Sequence, residues 1–262
     1  MTDAPEVPQQ DSEETFDRLV EEGEQRLGRT WVGLASTGVL GGLDVGAGVL
    51  ALLLVEHYTG NVLLAGLAFG IGFIALTLAR SELFTEGFLV PVAAVVARRA
   101  SPAALGRLWG STAVANLIGG WTVTGLMMAA FPDLRETAIK AASFYVDLGF
   151  GWRASTLALL GGMVITLMTH MQHATESDGV RLVAAVAMAF LLGAGQLNHA
   201  IVVSLLCFAA LHAGAPFGYA DWLGVLSLAV VGNLIGGLGL VTVLRLLQVP
   251  HKVRAARSEA GV

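Results

Sequence analysis

The sequence predicts an all-α integral membrane protein: six transmembrane helices in an inverted three-plus-three repeat, with the second and fifth helices broken. Three observations carry this. The 262-residue chain is 55% hydrophobic and 13% charged, with mean hydropathy +0.71, whereas a soluble domain carries about 25% charged residues. It contains six apolar stretches, each long enough to cross roughly 30 Å of hydrocarbon. Two of these are interrupted by charged, amide and glycine residues, and blocks of sequence recur at a near-constant offset.

Taken in order, residues 1–29 form a polar, acidic tail with Pro5, Pro8, Asp11, Glu13 and Glu14. Its start reads as disordered. Phe16, Leu19 and Val20 among charges predict an amphipathic helix over Ser12–Arg26, lying on the membrane or on a neighbouring subunit. Because the first apolar run starts only near Trp31, no cleavable signal peptide is expected. The transmembrane domain covers 30–247.

The first span, Trp31 to Val55, is studded with Gly38, Gly41, Gly42, Gly46 and Gly48, which permit close helix contact, and carries Asp44 near its middle. The second begins near Val62 and breaks at Arg80-Ser81-Glu82-Leu83-Phe84-Thr85-Glu86-Gly87, resuming to about Ala97. A charge at the bilayer centre costs about 2.5–3.5 kcal/mol on insertion scales. Irregular backbone at that depth survives only where protein buries it or water reaches it. The break therefore faces a pore or cavity, with Arg80 paired to Glu82 or Asp44 as an intramembrane charge pair. The third span, Leu105 to Phe131, is followed by a hydrophilic loop. The fourth runs from Trp152 to His170, and the fifth from Leu182 to Leu211, broken by Gly193, Gly195, Gln196, Asn198 and His199. The sixth, Trp222 to Leu247, precedes a basic tail, 248–262.

Six crossings put both ends on one side. Eleven lysines and arginines fall on that side, against Arg135, Lys140 and Arg153 on the other, so both termini are expected in the cytoplasm and the protein in the inner (plasma) membrane. The net charge of −5 follows from the acidic tail and gives no reason to expect nucleic acid as a partner. The lone Cys207 excludes a disulfide framework and a cysteine-built zinc site. His170 and His173 lie at a helix end beside Glu176 and Asp178 and read as solvated surface, not metal ligands. No cofactor is expected.

Asn116-Leu117-Ile118-Gly119-Gly120 returns as Asn233-Leu234-Ile235-Gly236-Gly237, an offset of 117, and Gly41-Gly42 returns as Gly161-Gly162, an offset of 120. The same offset carries the first break onto Leu197–His199. Halves of three spans each must run in opposite senses, and inverted repeats with matching broken helices point to a transport site near the midplane.

Ser81-Glu82-Leu83-Phe84-Thr85, the two Asn-Leu-Ile-Gly-Gly blocks and Asn198-His199 after a glycine-rich break resemble the formate/nitrite transporter family over roughly residues 30–247. The resemblance implies an aquaporin-like protomer with its own pore, a homopentamer, and passage of small monovalent anions or their conjugate acids. It also implies that Leu83 and Phe84 line an inner constriction, that Thr85 offers a hydroxyl to the solute, that His199 is the central pore histidine, and that Leu192 belongs to an outer constriction. Three positions depart from the family pattern: Asn198 replaces an acid common before the histidine, Val203 replaces an asparagine, and Val146-Asp147 stand where many members have lysine. Lys140 and Arg153 are the nearby cations.

A small anion meets a desolvation barrier of several kcal/mol at an apolar constriction, and protonation removes most of it. Histidine, with an unperturbed pKa near 6.5, suits proton exchange with such a solute. Three alternatives stand beside this reading. One is a water- or glycerol-conducting pore, against which neither break carries Asn-Pro-Ala. Another is a membrane metalloenzyme using His170, His173 and His199, which the topology places at different depths. The third is a non-conducting membrane protein.

Overall fold

In the computed structural model, residues 7–259 are described, with side chains from Ser12 onward; Pro5 and the outermost parts of both tails lie outside them. The described residues form helices joined by short links and breaks, with no strand among them. Helix α1 (Val7–Leu27) leads into α2 (Trp31–Thr59), and α3 (Val62–Ala79) ends at the first break. After a 3-10 turn, Phe84–Phe88, the same crossing resumes as α4 (Val90–Val96). Then come α5 (Pro102–Ala130), α6 (Arg135–Leu148) and α7 (Trp152–His173). The next crossing is split into α8 (Asp178–Ala194) and α9 (Ala200–His212). The last runs through α10 (Tyr219–Leu234), a π-helical segment (Ile235–Thr242) and α11 (Val243–Gln248), followed by α12 (Pro250–Glu259). Among the described residues, five helical stretches are long and apolar enough to cross a membrane, 219–248 counting as one. The fifth crossing falls short in each piece because the second break divides it into α8 and α9.

Local chemistry sets the ends. Thr30 and Ser101 cap α2 and α5 by accepting from the backbone N–H of Gly33 and Ala104, and Asn61 caps α3 through Leu63 and Leu64. Pro102 opens α5, where its missing N–H costs nothing. Helix α6 occupies the segment expected to be a loop. Its charges masked an apolar face, on which Ala138, Ala142 and Tyr145 are buried in the main core with residues of α9. Trp109 donates from its indole to the Gly87 carbonyl at 2.8 Å, and Trp222 to Ser204 at 3.0 Å, so both brace the interior.

The N-terminal helix lies on this chain's own broken span. Leu19 packs with Leu89, Val90 and Ala93; Phe16 with Ala97 and Val249; Leu27 with Leu34, Ala94 and Leu108. Helix α12 joins it through Lys252–Asp17 at 2.6 Å and Arg257 donating to the Val96 carbonyl at 2.8 Å. One face of the molecule thus carries both terminal helices.

Candidate functional site

The two breaks are built by the same bonds. At the first, Asn116 of α5 donates from Nδ2 to the carbonyls of Gly38 (2.7 Å) and Glu82 (2.8 Å) and accepts from the Phe84 N–H at 2.9 Å. At the second, Asn233 of α10 donates to Ala158 (2.7 Å) and Asn198 (2.9 Å) and accepts from Ala200 at 2.9 Å. Glu82 and Asn198 each donate their backbone N–H to a neighbouring helix, to Thr37 and Leu157, both at 3.2 Å. The chain turns out of helix through left-handed Arg80 (φ 52°) and Gln196 (φ 49°). In each break, backbone groups freed from the helix find an asparagine, which is how irregular chain persists in an apolar interior. Glycine is required beside them: a Cβ at Gly41 would run into the Glu82 carbonyl, and one at Gly161 would sit 2.9 Å from that of Asn198.

Between the breaks, Thr85 and His199 meet. Thr85 Oγ1 lies 2.6 Å from His199 Nε2, and both residues are fully shielded from solvent. His199 is also the N-cap of α9, its Nδ1 accepting from the Val202 N–H at 3.3 Å. An Nδ1 that accepts leaves the ring proton on Nε2, so His199 donates to Thr85 Oγ1 and the threonine hydroxyl proton is left to point elsewhere. Leu83, Phe84 and Leu192 are likewise buried. Asn198 Oδ1 is buried without a hydrogen-bond partner, an acceptor that an O–H or N–H donor would satisfy.

The expected pairing of Arg80 with Glu82 or Asp44 is corrected. Glu82 instead takes Arg29 at 2.5 Å and Arg26 at 3.5 Å, both from the N-terminal side. Arg80 is exposed, because its left-handed backbone ends α3 at the surface of a cavity that it helps to line. Asp44 Oδ2 is buried with no hydrogen-bond partner. His170 and His173 form no metal cluster among the described residues. His173 bonds Glu22 at 2.9 Å and the Thr169 carbonyl at 2.7 Å.

A cavity of about 410 Å³ opens on the face bearing the termini and runs up to Ser81 and Glu86, the residue after Thr85. Arginines from α1, the α1–α2 link, the first break and α8 border it: Arg18, Arg26, Arg29, Arg80 and Arg181. Sequence reasoning missed α1 as its wall, since nothing in a polar tail says which buried carboxylate it will meet.

Glu22, on that wall, is partly buried, which on its own raises a carboxyl pKa. The hydrogen bond from His173 and the charges of Arg26 and His173 outweigh this and hold it well below the usual carboxylate range. A depressed carboxyl stabilises the fold above its unfolded pKa, about 4.3, and the contribution is lost as pH falls through the folded value. Acidification from pH 7 to 5 is therefore expected to leave α1 docked as far as Glu22 is concerned. Release should begin only below about pH 4, measured as proteolysis or amide exchange confined to α1; release already at pH 6 would assign the latch to another group.

Six crossings, two of them broken by matching bond sets around a buried Thr–His contact, define a polytopic membrane channel or transporter. The family model for the formate/nitrite transporters matches residues 13–247, and the chain belongs to that family. It is 26% identical over 234 residues to the inner membrane protein YfdC of Escherichia coli (strain K12), covering 84% of this chain and 73% of that one. It is 24% identical to the uncharacterized transporter YrhG of Bacillus subtilis (strain 168), covering 94% and 96%. Among solved structures, a pentameric formate channel with formate bound superposes with a TM-score of 0.71 at 20% identity, over 83% of this chain and 96% of that one. An FNT family ion channel does so at 0.76 and 16%, over 90% and 99%.

Proposed function

We propose that this protein is a homopentameric channel or transporter in the inner membrane, with both termini cytoplasmic, passing a small monovalent weak-acid anion such as formate or nitrite. The solute passes the centre as its conjugate acid. The observation that carries this is the Thr85–His199 contact, 2.6 Å long and buried, in a chain where Leu83, Phe84 and Leu192 are buried too. A bare anion there faces a desolvation cost of several kcal/mol, while a neutral acid finds donors and acceptors at Thr85, His199 and Asn198. In this reading His199 is a hydrogen-bond donor, not a proton reservoir. Giving up its Nε2 proton would require Nδ1 to be protonated first, which breaks the cap to Val202. Family membership and likeness in fold to a formate-bound pentamer support the substrate class and the assembly.

The test is flux into proteoliposomes containing formate, nitrite, hydrosulfide, lactate or glycerol, between pH 5 and 8. Weak-acid flux is expected to rise as pH falls. His199→Ala is expected to reduce it by about 3- to 10-fold, as loss of a buried hydrogen-bond donor to a neutral acid would, while His199→Asn, which keeps an N–H, loses less. Passage of glycerol with no weak acid would replace this reading with a neutral-solute pore.

A further inference from the structure

The weak-acid reading leaves the source of the proton open, and the His199 geometry removes the obvious candidate. The arginine-bordered cavity contains another. Glu86 follows Thr85 directly, is 6% exposed, and lines the cavity at its inner end. Its carboxyl makes no hydrogen bond or ion pair among the described residues, whereas Glu82, four residues earlier, is held by two arginines. The two acids of one break are thus differently placed: one paired with cations, the other unpaired and lining the cavity.

The charges around Glu86 come from several elements. Arg26 and Glu22 of α1 and Glu82 of the break act on it electrostatically, and Arg26 is itself engaged by both carboxylates. Arg18, Glu21 and Arg29 lie further along the N-terminal side of the cavity. Arg80 stands at its rim, His173 on α7 is tied to Glu22, and Arg181 of α8 donates to the Gln172 and Thr175 carbonyls. Arg80 makes no ion pair among the described residues and is available to an incoming anion.

We infer that Glu86 is the proton donor for the weak acid at this mouth of the pore: an anion gathered by the arginines receives the Glu86 proton before entering the apolar constriction. The O–H bond of the Glu86 carboxyl breaks and one forms on the solute carboxylate, giving a neutral acid and an ionised Glu86. Hydronium in the cavity then returns a proton to the Glu86 carboxylate and leaves as water. Proton transfer over a short hydrogen bond between two carboxyl groups needs no other reactant. The neutral acid moves on to Thr85, one residue away.

This rests on the weak-acid reading, and the experiment separates the two. Full-length protein in proteoliposomes is given formate at pH 5 to 8, with an internal pH dye recording proton entry. Wild type is expected to carry one proton per formate. Glu86→Gln, of nearly the same shape, is expected to lose about 10–100-fold of the flux at pH 7 to 8 and to flatten the pH profile, while Glu86→Asp keeps the profile. A wild-type pH profile in Glu86→Gln overturns the role of Glu86 and leaves the weak-acid reading intact; no formate flux in wild type overturns both. Should Glu86→Gln misassemble, infrared difference spectra of wild type decide. A protonated-carboxyl band that bleaches on formate addition supports the donor, and its absence overturns it.

Discussion

Asn116→Ala and Asn233→Ala are each expected to destabilise the detergent-solubilised protein by about 3 kcal/mol or more. Each side chain satisfies three buried backbone groups, and a buried donor or acceptor left unpaired costs about 1–3 kcal/mol. The cost is not confined to packing, since the freed groups lie where water does not replace the lost partner. The two asparagines share no partner, so the double variant is expected to be near the sum of the singles. Aspartate at either position keeps the acceptor but loses two donor bonds and adds a buried charge, so it should do no better than alanine. Thermal unfolding followed by tryptophan emission measures this. A shift within error for either alanine would mean that the neighbouring backbone bonds hold the break without the side chain.

The second large effect is at Glu82. Its side chain is 3% exposed and Arg26 is 13% exposed, so Glu82→Gln leaves Arg29 without its carboxylate and Arg26 with Glu22 alone in a largely dry site. Removing one member of a buried ion pair costs about 3–5 kcal/mol; Arg29, at 32% exposed, recovers part of its hydration and places the expected loss toward the lower figure. Because both arginines belong to the N-terminal segment, the loss should appear as release of α1 before the membrane domain melts. Limited proteolysis at neutral pH reads this: cleavage within 7–27 should accelerate while the remainder stays intact. Equal protection in both proteins would mean that the apolar seam of Phe16, Leu19 and Leu27 suffices to dock the helix.

The breaks were legible in the sequence because charged and amide residues inside apolar runs have few physical explanations, and the paired Asn-Leu-Ile-Gly-Gly blocks located their partners. Helix ends near Trp31, Val62 and Trp152 followed from caps and composition. What escaped depended on distance along the chain. Arg29 and Glu82 are remote in sequence, and within the break Arg80 was the nearer candidate; only the packing of α1 shows that Arg80 turns outward. Helix α6 hid behind its charged face. The π segment at Ile235–Thr242 had no signal at all, since its residues are those of any apolar helix. Of the site itself, proximity of Thr85 to His199 was readable from the repeat, while the bond from Val202 that fixes the imidazole proton needed coordinates.

The halves are alike in bonding but unlike in detail. The first break continues into a 3-10 turn and a seven-residue helix, whereas the second passes at once into thirteen residues of α9, and the π segment belongs to the second half alone. A passive conduit with two different mouths cannot drive net movement at equal electrochemical potential. Its kinetics on the two sides need not match. With the arginines gathered at one mouth, solute arriving from that side is expected to half-saturate transport at a lower concentration, and the maximal rate from that side must be lower by the same ratio. Influx and efflux, compared at matched gradients, would therefore differ in curvature while sharing one end point.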